Sequence, residues 1–102
     1  MSQLEATRLT QLTALPNPDY QLRGPIPVRV NWSTVMGCYL AVDEVFGLHG
    51  QGADVQAALQ DLAFAIIDDY NDLTHWSSNL SKPLSERYRN LQRYIVHAGQ
   101  SA

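Results

Sequence analysis

The chain has a single cysteine, Cys38, so no internal disulfide can staple it, and a reducing compartment such as the cytoplasm is the expected setting. Long apolar runs are missing too. The longest, residues 62–67, is six residues, against the ~18 that a membrane helix needs, so no membrane partner is expected. The start, Met1-Ser2-Gln3-Leu4-Glu5, lacks the basic residues and apolar stretch of a secretory leader. Charged residues make up only 17% of the chain and apolar residues 45%, which excludes a disordered polymer and fits one globular domain in 102 residues.

Sets of residues able to run a reaction are also lacking. His49, His75 and His97 are the only histidines and fall on different elements, whereas a zinc site wants two ligands close together on one element. Cys38 would need a histidine and an orienting group converging on it to act as a nucleophile, and its alternation with Leu40 and Val42 reads instead as a buried small apolar residue. Gly47, Gly50 and Gly52 precede a helix, but neither Gly-Lys-Ser/Thr nor Gly-x-Gly-x-x-Gly is present, and Asp54 at the helix start would repel a phosphate. The expectation is a protein that is not an enzyme, with no catalytic residue, no metal and no cofactor.

What is present is an uneven charge. The net charge is −3. Residues 53–78 carry five Asp and no Lys or Arg, while residues 79–102 carry Lys82, Arg87, Arg89 and Arg93 against Glu86. An acidic whole argues against non-specific nucleic-acid binding, although Arg87, Arg89 and Arg93 with Tyr88 and Tyr94 keep a local nucleic-acid contact open. On the long helix predicted below, Asp61, Asp68 and Asp72 share one face, read either as a solvated surface or as a docking surface for a basic partner.

Hydrophobic periodicity predicts the elements. Residues 1–19 read as an arm or a short helix, with a capping-box spacing at Ser2–Glu5 and Leu9, Leu12 and Leu15 ahead of Pro16 and Pro18. Residues 20–102 read as one α+β domain. Ile26, Val28, Val30 and Trp32 alternate as one strand face, with Pro25 and Pro27 pointing to a sheet edge or a strand start. Cys38, Leu40 and Val42 alternate as the inward face of a second strand, and residues 45–52 supply a third. Val35, Tyr39, Val42 and Phe46 also fit a helical spacing capped by Ser33; the β-branched and aromatic content favours strands. From Asp54, a cap, Val55, Leu59, Leu62, Ile66, Tyr70 and Leu73 form the stripe of a long amphipathic helix. Ser81 caps a shorter helix over residues 81–98, which Gly99 closes. The expected fold is a small three-stranded antiparallel sheet packed by a long helix, followed by a shorter one, in the order β-β-β-α-α.

Residues 25–73 resemble the HicB-like antitoxin family. The strand Pro27-Val28-Arg29-Val30, the strand Tyr39-Leu40-Ala41-Val42-Asp43 and the stretch Phe46-Gly47-Leu48-His49-Gly50-Gln51-Gly52 carry the resemblance, with Ala57-Ala58-Leu59-Gln60-Asp61-Leu62 opening the helix. Asp54 stands at the cap position, Ala57 where the family usually has Glu, and Ala58-Leu59 keep the Ala-Leu pair. The resemblance implies a compact domain that binds and neutralises a small ribonuclease toxin; the DNA-binding domain many members append has no counterpart after the long helix. The partner is then a small basic protein or a second copy, in a homodimer or other homo-oligomer. Arg29, Trp32, His49, Asp61, Asp68 and Asp72 are the expected contacts, and residues 27–32 a possible exposed edge strand. The alternative, from the helical spacing of Val35 to Phe46, is a ribbon-helix-helix DNA-binding regulator.

Overall fold

The computed structural model describes residues 7–97. Its elements are β1 (Arg8–Leu12), β2 (Tyr20–Leu22), β3 (Ile26–Ser33), β4 (Cys38–Asp43), β5 (His49–Gly52), α1 (Val55–His75), a 3-10 turn (Ser77–Asn79), α2 (Lys82–Tyr94) and β6 (Ile95–His97). The fold is α+β, but the sheet is not three-stranded. Four antiparallel strands run in the order β1-β3-β4-β5, and β2 pairs with β6 in a separate two-stranded sheet.

The extra strand of the main sheet is β1, where the sequence suggested an arm or a short helix. Its pairing with β3 runs from Arg8 opposite Val30 to Leu12 opposite Ile26. The Leu9-Leu12-Leu15 spacing looks helical, yet only Leu12 of β1 is buried, and Leu9 remains 80% exposed. A stretch with Thr7, Thr10 and Thr13 has little helix propensity, and the side of β3 offers it a ladder of backbone hydrogen bonds. The Ser2–Glu5 capping-box residues lie outside the described residues.

β3 is therefore an interior strand, not the exposed edge expected of residues 27–32. Pro27 is accommodated because it sits where the ladder to β4 ends: its carbonyl accepts the Glu44 N–H at 2.9 Å, and the N–H it lacks would only have returned that bond. Ile26, Val28 and Val30 turn into the core at 0–1% exposure.

β4 has the opposite phase from the expectation. Tyr39, Ala41 and Asp43 lie across from Trp32, Val30 and Val28 on the helix-covered face, so Cys38, Leu40 and Val42 take the outer face and are only half-buried. The inversion centres on Asp43, 1% exposed. Its carboxylate accepts the backbone N–H groups of Val45 (2.9 Å), Phe46, Gly47 (3.2 Å) and Leu48 (2.9 Å). These bonds hold residues 44–48 as a turn rather than a strand, shortening β5 to four residues and sending Phe46 into the core against Tyr94. A polar residue thus occupies an inward position because backbone donors satisfy it. Residues 38–43 are extended, and the helix that motivated a ribbon-helix-helix reading does not form.

α1 begins at Asp54, whose carboxylate accepts the Ala57 N–H at 2.7 Å. It buries Ala58, Leu62, Ala63, Ile66, Ile67, Tyr70 and Leu73. The helix lies directly on β5. A Cβ built on Gly50 would stand 2.2 Å from the Leu62 nitrogen, and one on Gly52 2.5 Å from the Ala58 nitrogen. Only glycine permits that approach.

α2 starts as expected, with the Ser81 hydroxyl accepting the Leu84 N–H at 3.4 Å, but ends at Tyr94. Ile95 is extended at φ −113°, and β6 pairs with β2 from Leu22 opposite Ile95 to Tyr20 opposite His97. β-branched Ile95 and Val96 suit a strand, and the Arg23 N–H donates to the Tyr94 carbonyl at 2.8 Å, tying the helix end to β2. Gly99 lies outside the described residues. No helix among the described residues is long and apolar enough to cross a membrane.

Candidate protein-docking surface

The six residues singled out for partner contact do not form one surface. Arg29 and His49 lie on the outer sheet face, where both flank Val42 and Arg29 also stands opposite Leu9 in the pairing. Arg29 donates from Nε to the Glu44 carboxylate at 2.6 Å, both side chains exposed. Trp32 is at the far end of β3, 42% exposed and edge-on to Tyr39 at 5.0 Å. Asp61, Asp68 and Asp72 are on α1, in the other layer. Arg29 and His49 are thus on the opposite side of the sheet from α1, while Trp32 shares the helix-covered face at the far end of β3.

Within α1 the three acids have different duties. Asp61 accepts the Gln51 N–H at 2.9 Å, sealing a backbone donor of β5. Asp68 and Asp72 project into solvent. On their face, at helical spacing, stand Phe64 and His75, four residues before Asp68 and three after Asp72. Phe64 is 47% exposed, and at the helix end Trp76 is 57% exposed with its ring edge-on to His75 at 4.8 Å. Sequence reasoning missed Phe64 because it lies inside the apolar run 62–67 and reads as core. The available signal was its register, three residues after Asp61 and four before Asp68. A phenyl ring among carboxylates on a helix whose other side is filled is the outward feature that core packing does not account for.

The basic residues split as well. Arg87 approaches Asp69 with Nη2 2.9 Å from Oδ1 and Nε 2.9 Å from Oδ2, a part-buried ion pair that joins α2 to α1. Arg89 and Arg93 remain exposed one turn apart, beside Glu86 and Asn90 in a shallow surface depression. Arg87 is thus used within the fold, leaving two of the three arginines on the surface.

The polar aromatic groups around β2 and β6 contact one another within the scaffold. Tyr20 donates its hydroxyl to Asn71 at 2.7 Å and stacks on His97 at 4.4 Å, and Tyr70 stands edge-on to both rings. Burial raises the Tyr70 phenol above its usual range, Tyr88 and Tyr20 adding to the effect and Thr74 opposing it. Among the described residues no three His, Cys, Asp or Glu side chains gather as a metal site would require. Comparisons of the chain with protein-family models, with curated proteins and with solved structures found no match.

Proposed function

We propose that this chain is a non-catalytic protein-binding module that docks a small basic protein on the outward face of α1, as the resemblance to HicB-like antitoxins implies. The observation that carries the reading is Phe64, an aromatic ring left 47% in water between Asp61 and Asp68. An apolar anchor supplies contact area that excludes water, and the surrounding carboxylates steer and orient a cationic partner. Support for the antitoxin kinship comes from the order β3, β4, β5, α1, with glycines at the close strand-to-helix approach. The cytoplasm is the compartment that fits a lone thiol at Cys38.

The test is co-expression with any small basic protein encoded beside this one, followed by size-exclusion chromatography and titration calorimetry. A complex is expected whose affinity falls with added salt. The variant Phe64→Ala with Asp68→Lys and Asp72→Lys should weaken it by roughly a hundredfold or more, since lost anchors and reversed charges combine. Equal affinity for that variant and the native chain would overturn the assignment of this face.

A further inference from the structure

The two edges of the main sheet are treated differently by the fold. On β5, Asp61 takes the Gln51 N–H at 2.9 Å and α1 packs backbone-close at Gly50 and Gly52. An approaching strand finds that edge partly occupied. β1 has no such cover. It is five residues long, contains no proline and carries one charge, Arg8. Among the described residues its backbone bonds only to β3. An edge this plain is a template for another strand unless something blocks it.

A depression borders β1 on each face of the sheet. On the helix-covered face, Leu12, Leu15, Leu59 and Ala63 floor a groove rimmed by Gln56 and Gln60. On the outer face, Leu9 and Pro27 lie beside the Arg29–Glu44 pair in a second. A strand added at β1 sends alternate side chains to the two faces, so both depressions receive side chains from one extended segment.

We infer that β1 pairs antiparallel with β1 of a second copy, about a two-fold axis near Thr10, joining two four-stranded sheets into one of eight. The sequence of β1 suits itself as partner. Arg8 of one copy falls opposite Leu12 of the other, on the helix-covered face, where the glutamine rim of Gln56 and Gln60 offers carbonyl acceptors. Leu9, 80% exposed in the single chain, falls opposite Gln11 on the outer face and within diagonal reach of its own symmetry mate. The two Arg8 charges are placed at opposite ends of the pair, about 13 Å apart along the strands, so they do not repel strongly. α1 packs chiefly over β5 and β4, away from this edge.

The experiment measures mass in solution by light scattering and sedimentation, at about 100 µM, where a contact this small is populated. A dimer is expected. Leu9→Lys, at a position already in water, should raise its dissociation constant tenfold or more and leave the circular-dichroism melt unchanged. Single cysteines placed along residues 8–12 in a Cys38→Ser background should link two chains at the position on the axis, where paired Cα atoms stand about 4.5–5.5 Å apart. A monomer at that concentration, a dimer indifferent to Leu9→Lys, or the lack of a linked species at every position would overturn the inference.

Discussion

The main sheet with α1 and the small sheet with α2 belong to one fold but are held together by different means. The first is local in sequence. β3, β4, β5 and α1 follow one another through short connections, and backbone meets backbone where α1 crosses Gly50 and Gly52. The second is assembled from distant pieces. Tyr20–Leu22 meets Ile95–His97, an aromatic group of Tyr20, Tyr70, Tyr88 and His97 fills the space between, and one ion pair, Asp69 with Arg87, links the helices. The first has close steric complementarity over glycine, and the second packs rings with the buried Leu91 and Ile95 and adds one hydroxyl and one pair of charges. The contrast teaches that tolerance to change should run the opposite way in the two regions.

The largest effect is expected in the first. Gly50→Ala puts a methyl group where the Leu62 backbone already is, and neither chain segment can step aside without moving a whole element. A loss of about 3 kcal/mol or more is expected in urea unfolding, toward the upper end for overpacking. A variant that unfolds at the native midpoint would show that α1 can lift from β5 freely. In the second region, Tyr20→Phe deletes the 2.7 Å bond to Asn71 and keeps the ring stack on His97. About 1 kcal/mol should be lost, and hydrogen exchange should quicken in residues 20–22 and 95–97 while residues 38–43 keep their protection. Uniform quickening across both sheets would mean that the two regions open as one.

The smallest effect is alkaline. The Tyr70 phenol is held above the ordinary 10.0, chiefly by burial, so the folded chain keeps its proton where the unfolded chain gives it up. Its contribution is therefore complete below pH 10 and is lost as pH climbs from there through the folded value. Melting temperatures of the native chain and Tyr70→Phe, followed across that range, should converge as pH rises, because only the native chain has this proton to lose. Parallel curves would remove Tyr70 from the account.

The same divide separates what could be read from the amino acids and what could not. α1 was legible because Leu62, Ile66, Tyr70 and Leu73 repeat at helical period behind a capping Asp54, all within one window. The strand face of Ile26, Val28 and Val30 was legible for the same reason at period two. β2 and β6, three residues each, carry no period, and their partner is found only after the rest has folded. The phase of β4 was misread because both of its alternations contain apolar residues, and the deciding one ends in an aspartate that backbone donors later satisfy. At the docking face the acids were visible and the ring between them was not. Its neighbours Leu62, Ala63, Ile66 and Ile67 made it look interior, and only the sheet's position tells which side of a helix is left over.

The glycine seat beneath α1 has a mechanical meaning as well as a steric one. With no side chains as cushion at Gly50 and Gly52, helix and strand cannot roll or slide over each other as layers separated by interdigitating side chains do. They behave as one lever, stiffened by the Asp61 tie to Gln51. A push on the helix's outward side is delivered to His49 and its neighbours as displacement rather than absorbed by repacking.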